Sequence, residues 1–128
     1  MKQHISVEQF IELTEEQKNK VRDWWWPHAW DRVVLFAASD EPTIAIITSE
    51  FVDKDKYYPI LSIGQMLDFI REKLSDKEIF IKISPKADIL DFPQKEVKIM
   101  CVKTGEKELL NCSYTLVDAL WEIVKENL

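Results

Sequence analysis

The segment Trp24-Trp25-Trp26-Pro27-His28-Ala29-Trp30 constrains the fold of this chain more than any other. Four of the five tryptophans fall within these seven positions. Three consecutive helical residues project about 100° apart, so Trp24, Trp25 and Trp26 cannot all face one core. Pro27 ends the preceding helix, because the residue before a proline disfavours helical geometry. At least one of the three indoles must then be partly exposed or covered by another chain. In one reading two rings are core, Trp26 shields a hairpin and Trp30 packs under the helix end. In the other the cluster anchors a partner or a second copy of the chain, since tryptophan is enriched at interface hot spots. A sugar- or base-stacking platform is disfavoured because no basic groove accompanies the rings. Trp25, Trp26 and Trp30 are the candidate contacts, with Tyr57 and Tyr58 extending the surface.

The length of 128 residues predicts a single domain spanning 1–128, large enough to build a core without disulfides or metals. A composition of 46% hydrophobic and 31% charged residues excludes an intrinsically disordered chain. Lys and Arg number 17 against 23 Asp and Glu, a net charge of −6. Phosphate neutralisation dominates nucleic-acid affinity, so this acidic balance argues against general nucleic-acid binding and against docking on an anionic membrane. The signs interleave, as in Asp53-Lys54-Asp55-Lys56, which is the pattern of a solvated face. Only two cysteines occur, and the beginning of the sequence shows no apolar signal core; both features predict a cytoplasmic protein. The longest purely apolar run, Val33 to Ala38, is far below the roughly 20 residues of a spanning helix.

Local patterns place the elements. Ser6 with Gln9, Thr14 with Gln17, and Ser62 with Gln65 have capping-box spacing, so helices start after Ser6, Thr14 and Ser62. The second runs to about Trp25, is sparingly apolar, and should touch the core with one end. In the third, Met66, Leu67, Phe69, Ile70 and Leu74 follow at helical spacing, which predicts a well-buried helix. A last helix begins after Thr115 and presents a wide apolar face to the sheet. Val33–Ala37 and Thr43–Thr48 read as a hairpin around Ser39-Asp40-Glu41-Pro42, apolar enough to predict burial on both faces. Ile79, Ile81 and Ile83 mark a half-buried strand ended by Pro85. Ile89 to Phe92 reads as an edge piece or loop. Glu96–Lys103 and Glu106–Ser113 form a hairpin in which Gly105 supplies the positive φ of the turn. The expectation is an α+β, two-layer domain: a largely antiparallel sheet of about five strands, with two N-terminal helices, one middle helix and one C-terminal helix. The stretch from Thr43 to Ser84 is compatible with one right-handed parallel crossover.

Catalytic chemistry finds little support. Cys101 and Cys112 sit in expected strands among apolar neighbours, where a thiol is usually inert, and no spacing brings them to His4 or His28. Two His and two Cys without ligand spacing make no zinc site, and Asp53-Lys54-Asp55 lacks the glycine and distal Glu of a calcium loop. Asp88 or Asp91 followed by Glu96-Val97-Lys98 imitates a metal-dependent nuclease, but the separation is too short for two paired strands. Serine-triad, G-x-S-x-G and glycine-rich nucleotide motifs are absent. No catalytic residue, metal ligand or cofactor is assigned.

Three segments resemble small uncharacterised proteins of Gram-positive bacteria and their prophages: Ile5–Phe10 running to Trp24-Trp25-Trp26-Pro27, Tyr58–Phe69 with its Leu-Ser-Ile-Gly-Gln-Met core, and Leu116–Glu122. The resemblance covers about half the chain and implies a bacterial or phage-derived cytoplasmic protein without established catalytic residues. The leading expectation is a non-enzymatic accessory protein acting through protein–protein contacts, with a homodimer left open. The alternatives are a small metal-dependent hydrolase or nuclease-like enzyme, and a phage inhibitor of a host defence protein.

Overall fold

A computed structural model describes residues 3–36, 42–75, 77–86, 94–103, 106–113 and 115–128. In chain order its elements are α1 (Val7–Ile11), α2 (Glu15–Trp24), β1 (Arg32–Phe36), β2 (Pro42–Ile46), a 3-10 turn (Lys54–Lys56), β3 (Tyr58–Pro59), α3 (Ile63–Lys73), β4 (Glu78–Lys86), β5 (Gln94–Lys103), β6 (Glu106–Ser113) and α4 (Leu116–Glu126). The class is α+β. The expected single sheet of about five strands is instead two three-stranded antiparallel sheets, ordered β2-β1-β3 and β4-β5-β6. A parallel crossover from Thr43 to Ser84 is ruled out with it, because β2 and β4 belong to different sheets. The chain divides into two compact units: an N-terminal unit of His4–Leu61 with Leu128, and a C-terminal unit of Ser62–Asn127 with Met1–Gln3.

In the N-terminal unit both helices start where the capping boxes require. Ser6 Oγ accepts from the Gln9 amide while Gln9 Oε1 accepts from the Ser6 amide, and Thr14 and Gln17 repeat the exchange. Helix α2 stops at Trp24, and Trp25 turns to extended backbone two residues ahead of Pro27. Strand β1 is central, and its adjacent Val33 and Val34 are both fully buried, so both of its faces are covered. Strand β2 is different. It lies at the edge, and Ile44 and Ile46 are each 56% exposed, so the expected two-sided burial fails there. Ala45 and Ile47 point the other way, toward Trp25 and Val33. The third strand, β3, was not expected. Two residues are too few to show alternation, yet Tyr58 pairs with Val34 and Pro59 with Val33.

In the C-terminal unit, Ser62 and Gln65 again form a reciprocal box at the start of α3, which buries Met66, Phe69 and Ile70. Thr115 Oγ1 accepts from the Asp118 amide and starts α4. Six residues of α4 are buried, and it packs on α3, β5 and β6 as its wide apolar face demands. The central strand β5 buries Val97, Ile99 and Cys101 in alternation. A bulge interrupts its pairing with β6: Ile99 faces Asn111 and Met100 faces Leu109, leaving Leu110 as the extra residue. Strand β4 does not stop at Pro85 but continues to Lys86, with Pro85 opposite Lys95. An outer strand tolerates a proline because its missing N–H need not serve a ladder. Phe80 and Ile81 are 49% and 39% exposed, so this strand is less covered than its alternation suggests. The turns expected at 39–41 and 104–105, and the piece from 89 to 92, lie outside the described residues.

Candidate functional site

The tryptophan segment leaves α2 and enters β1 through a short loop held from several sides. Trp25 is 1% exposed and forms a core cluster with Val33 and Ile47; Trp24, Ala45, Val52 and Tyr57 pack against that cluster. A buried indole N–H needs an acceptor, and Asp31 provides it: Trp25 Nε1 donates to Asp31 Oδ2 at 2.9 Å. The same oxygen accepts from the His28 amide at 2.9 Å. One carboxylate thus ties the buried ring to the loop. His28 Nδ1–H donates to the Trp26 carbonyl at 2.8 Å. The Trp30 amide donates to the Ile47 carbonyl at 2.7 Å, and the Ile47 amide donates to the Asp31 carbonyl at 3.1 Å. These bonds extend the β1–β2 pairing beyond Arg32 and Ile46.

On this tethered loop two tryptophans face outward. Trp26 is 77% exposed and Trp30 is 76% exposed. Trp30 also has a φ of 75°, the one positive value at a non-glycine residue among the described residues. That conformation costs an L residue roughly 1–2 kcal/mol, and a bulky side chain in it is an outlier. Trp26, Pro27, Glu50, Phe51, Val52 and Lys54 line a shallow groove of about 370 Å³, and Phe51 is 89% exposed.

Of the five expected contact residues, the structure therefore brings Trp26 and Trp30 to the surface. Trp25 is interior and serves as the loop's foundation, because its ring is the apolar partner of Val33 and Ile47. Tyr57 is half-buried against the same cluster. Tyr58 is half-buried as well, with Arg22 over its ring at 3.7 Å and Phe10 beside it at 5.3 Å between centroids. Phe51 was missed by sequence reasoning. A single Phe between Glu50 and Val52 carries no periodic signal, and only the groove places it with Trp26.

Most of the enzyme candidates fall on side chains outside the described residues. Cys101 is buried, and its Sγ–H donates to Glu108 Oε2 at 3.8 Å across the β5–β6 pair. The side chain of Cys112 and those of Asp88, Asp91 and Glu96 lie outside the described residues. Asp53 and Asp55 build the 3-10 turn, with Asp53 Oδ1 accepting from the Asp55 amide. Among the described residues no group of three His, Cys, Asp or Glu is placed to hold a metal ion. Among them, too, no helix is long and apolar enough to cross a membrane.

No family model, curated protein or solved structure matches the chain.

Proposed function

We propose that this chain is a non-enzymatic protein-binding module whose contact surface is built on Trp26 and Trp30, with Phe51 beside Trp26. The observation that carries the reading is the pair of indoles standing three-quarters exposed on a loop fixed by hydrogen bonds. An exposed ring on a rigid backbone loses little entropy when it docks, which is how aromatic anchors concentrate binding energy. Trp30 sharpens the point, since its ring gains little burial where its backbone is strained. Residues 4–61 hold eleven Asp or Glu against six Lys or Arg, so the partner is apolar or basic at the contact, and nucleic acid is disfavoured. The resemblance to small bacterial and prophage proteins fits a cytoplasmic accessory role of this kind.

The test compares the wild type with the double variant Trp26→Ala/Trp30→Ala and with Lys20→Ala as a surface control. Neither exposed ring is expected to change thermal stability by more than about 0.5 kcal/mol. A partner retained by the wild type and the control, then identified and found to bind the double variant at least tenfold more weakly, supports the module. A self-association in sedimentation that the double variant abolishes makes the partner a second copy. A partner that binds all three proteins equally, with no self-association, refutes the surface.

A further inference from the structure

A second concavity in the N-terminal unit, of about 540 Å³, lies over α2 where Glu15, Lys18 and Arg22 recur at helical spacing. Arg22 is held in two ways. Its guanidinium carbon lies 3.7 Å from the Tyr58 ring centroid, and its Nε–H donates to the Tyr57 carbonyl at 3.1 Å. Tyr58 is in turn braced by Phe10. These contacts use one face and one N–H of the guanidinium, and Arg22 lines the cleft. The Lys18 side chain is only 12% exposed, and its Nζ reaches Glu15 Oε1 at 3.1 Å. Asp55 and Lys56 add a further carboxylate and cation, and Leu35 an apolar patch. Three cations thus meet two carboxylates in a unit that is otherwise strongly acidic.

We propose that this cleft binds a small hydroxylated phosphate monoester, a sugar phosphate in chemical class. A planar fork already fixed by a ring and a carbonyl loses little freedom on forming paired bonds to an oxyanion. A phosphate offers three terminal oxygens and a charge near −2, which the Arg22 fork and the ammonium groups of Lys18 and Lys56 match better than a carboxylate's two oxygens would. The volume exceeds that of a bare phosphate. Glu15 and Asp55 are acceptors for hydroxyl groups, and Leu35 supports the carbon skeleton.

The experiment is a nitrogen–proton NMR titration of the full chain with ribose 5-phosphate, inorganic phosphate and ribose at constant ionic strength. Saturable shifts of the Arg22 Nε–H signal and of amides 54–58 are expected with ribose 5-phosphate. Inorganic phosphate should bind at least about threefold more weakly, and ribose should give no shift. Arg22→Lys keeps the charge but loses the fork, and should raise Kd about tenfold. Lys56→Ala should raise it about threefold with unchanged folding; because Lys56 is exposed, this variant decides the matter if Arg22→Lys does not fold. Trp26→Ala/Trp30→Ala should leave the titration unchanged, which separates this site from the protein-contact surface. Shifts that do not saturate, equal affinity for phosphate and its monoester, or affinity unaltered in Arg22→Lys and Lys56→Ala would each overturn the assignment.

Discussion

In the N-terminal unit, buried Trp25 gives its Nε1–H to Asp31; in the C-terminal unit, equally buried Trp121 has no acceptor for its own among the described residues. Both rings are 1% exposed and both anchor a core. The difference follows from where each indole sits. Trp121 lies in the middle of α4 among Val117, Leu120, Ile123 and Val124, all buried and apolar, and the helix uses its own carbonyls. Trp25 lies at the end of a helix beside a loop, where a carboxylate can reach it. The C-terminal unit therefore packs by apolar volume. The N-terminal unit adds a polar tether, and that tether fixes the segment displaying Trp26 and Trp30. Charge divides the same way: residues 62–127 carry twelve acidic and ten basic side chains, close to balance, whereas residues 4–61 are distinctly acidic.

The sharpest way to break this comparison is to remove one polar group from each side. Asp31→Ala leaves the buried Trp25 N–H unsatisfied and should cost about 1–3 kcal/mol, measured by denaturant midpoint. Trp121→Phe removes an N–H without a partner among the described residues, so its lost volume is partly offset and the net cost should fall below that of Trp25→Phe. If Trp121→Phe proves as costly as Trp25→Phe, the Asp31 bond is not what distinguishes the two rings.

A smaller effect concerns the strained backbone. Trp30→Gly relieves the left-handed conformation at φ 75° and loses a ring that is 76% exposed. Against this, glycine gives the unfolded chain more freedom. The balance should stabilise the protein by roughly 0.5–1 kcal/mol, seen as a higher melting temperature, while partner binding weakens. A destabilised Trp30→Gly would mean that the ring packs in solution more than its exposure indicates.

What the sequence disclosed was mostly local. Ser6 with Gln9, Thr14 with Gln17 and Ser62 with Gln65 lie three residues apart, so each box could be read directly and each forms. The triplet does leave one indole exposed, Trp26, but not through the 100° helical offset, because α2 ends at Trp24 and Trp25 is already extended. Whatever depended on distant pairing was hidden. The division into two sheets rests on which edges meet, and β3 is visible only beside β1. The same holds for Arg22. Nothing in Val21-Arg22-Asp23 announces that its guanidinium lies over Tyr58, 36 positions away.

The least effect expected is a pH dependence of stability arising from His4 in the N-terminal unit. Burial lowers the pKa of His4 below its ordinary 6.5; the charge of Arg32 lowers it further, and Asp31 partly opposes them. A group that ionises less readily when folded leaves the unfolded chain binding more protons between the two pKa values. Unfolding then becomes easier as pH falls through that window. Stability should hold level above about pH 7, decline as pH drops through 6.5, and stop responding to His4 once the folded protein is also protonated. His4→Gln removes the titration and should flatten this part of a stability–pH curve measured by urea denaturation. Because Arg32 contributes to the shift, Arg32→Gln should move the His4 ring titration upward in proton NMR. A curve that is equally steep with and without His4 would place the dependence on other groups and leave the acidic unit no more pH-sensitive than its neighbour.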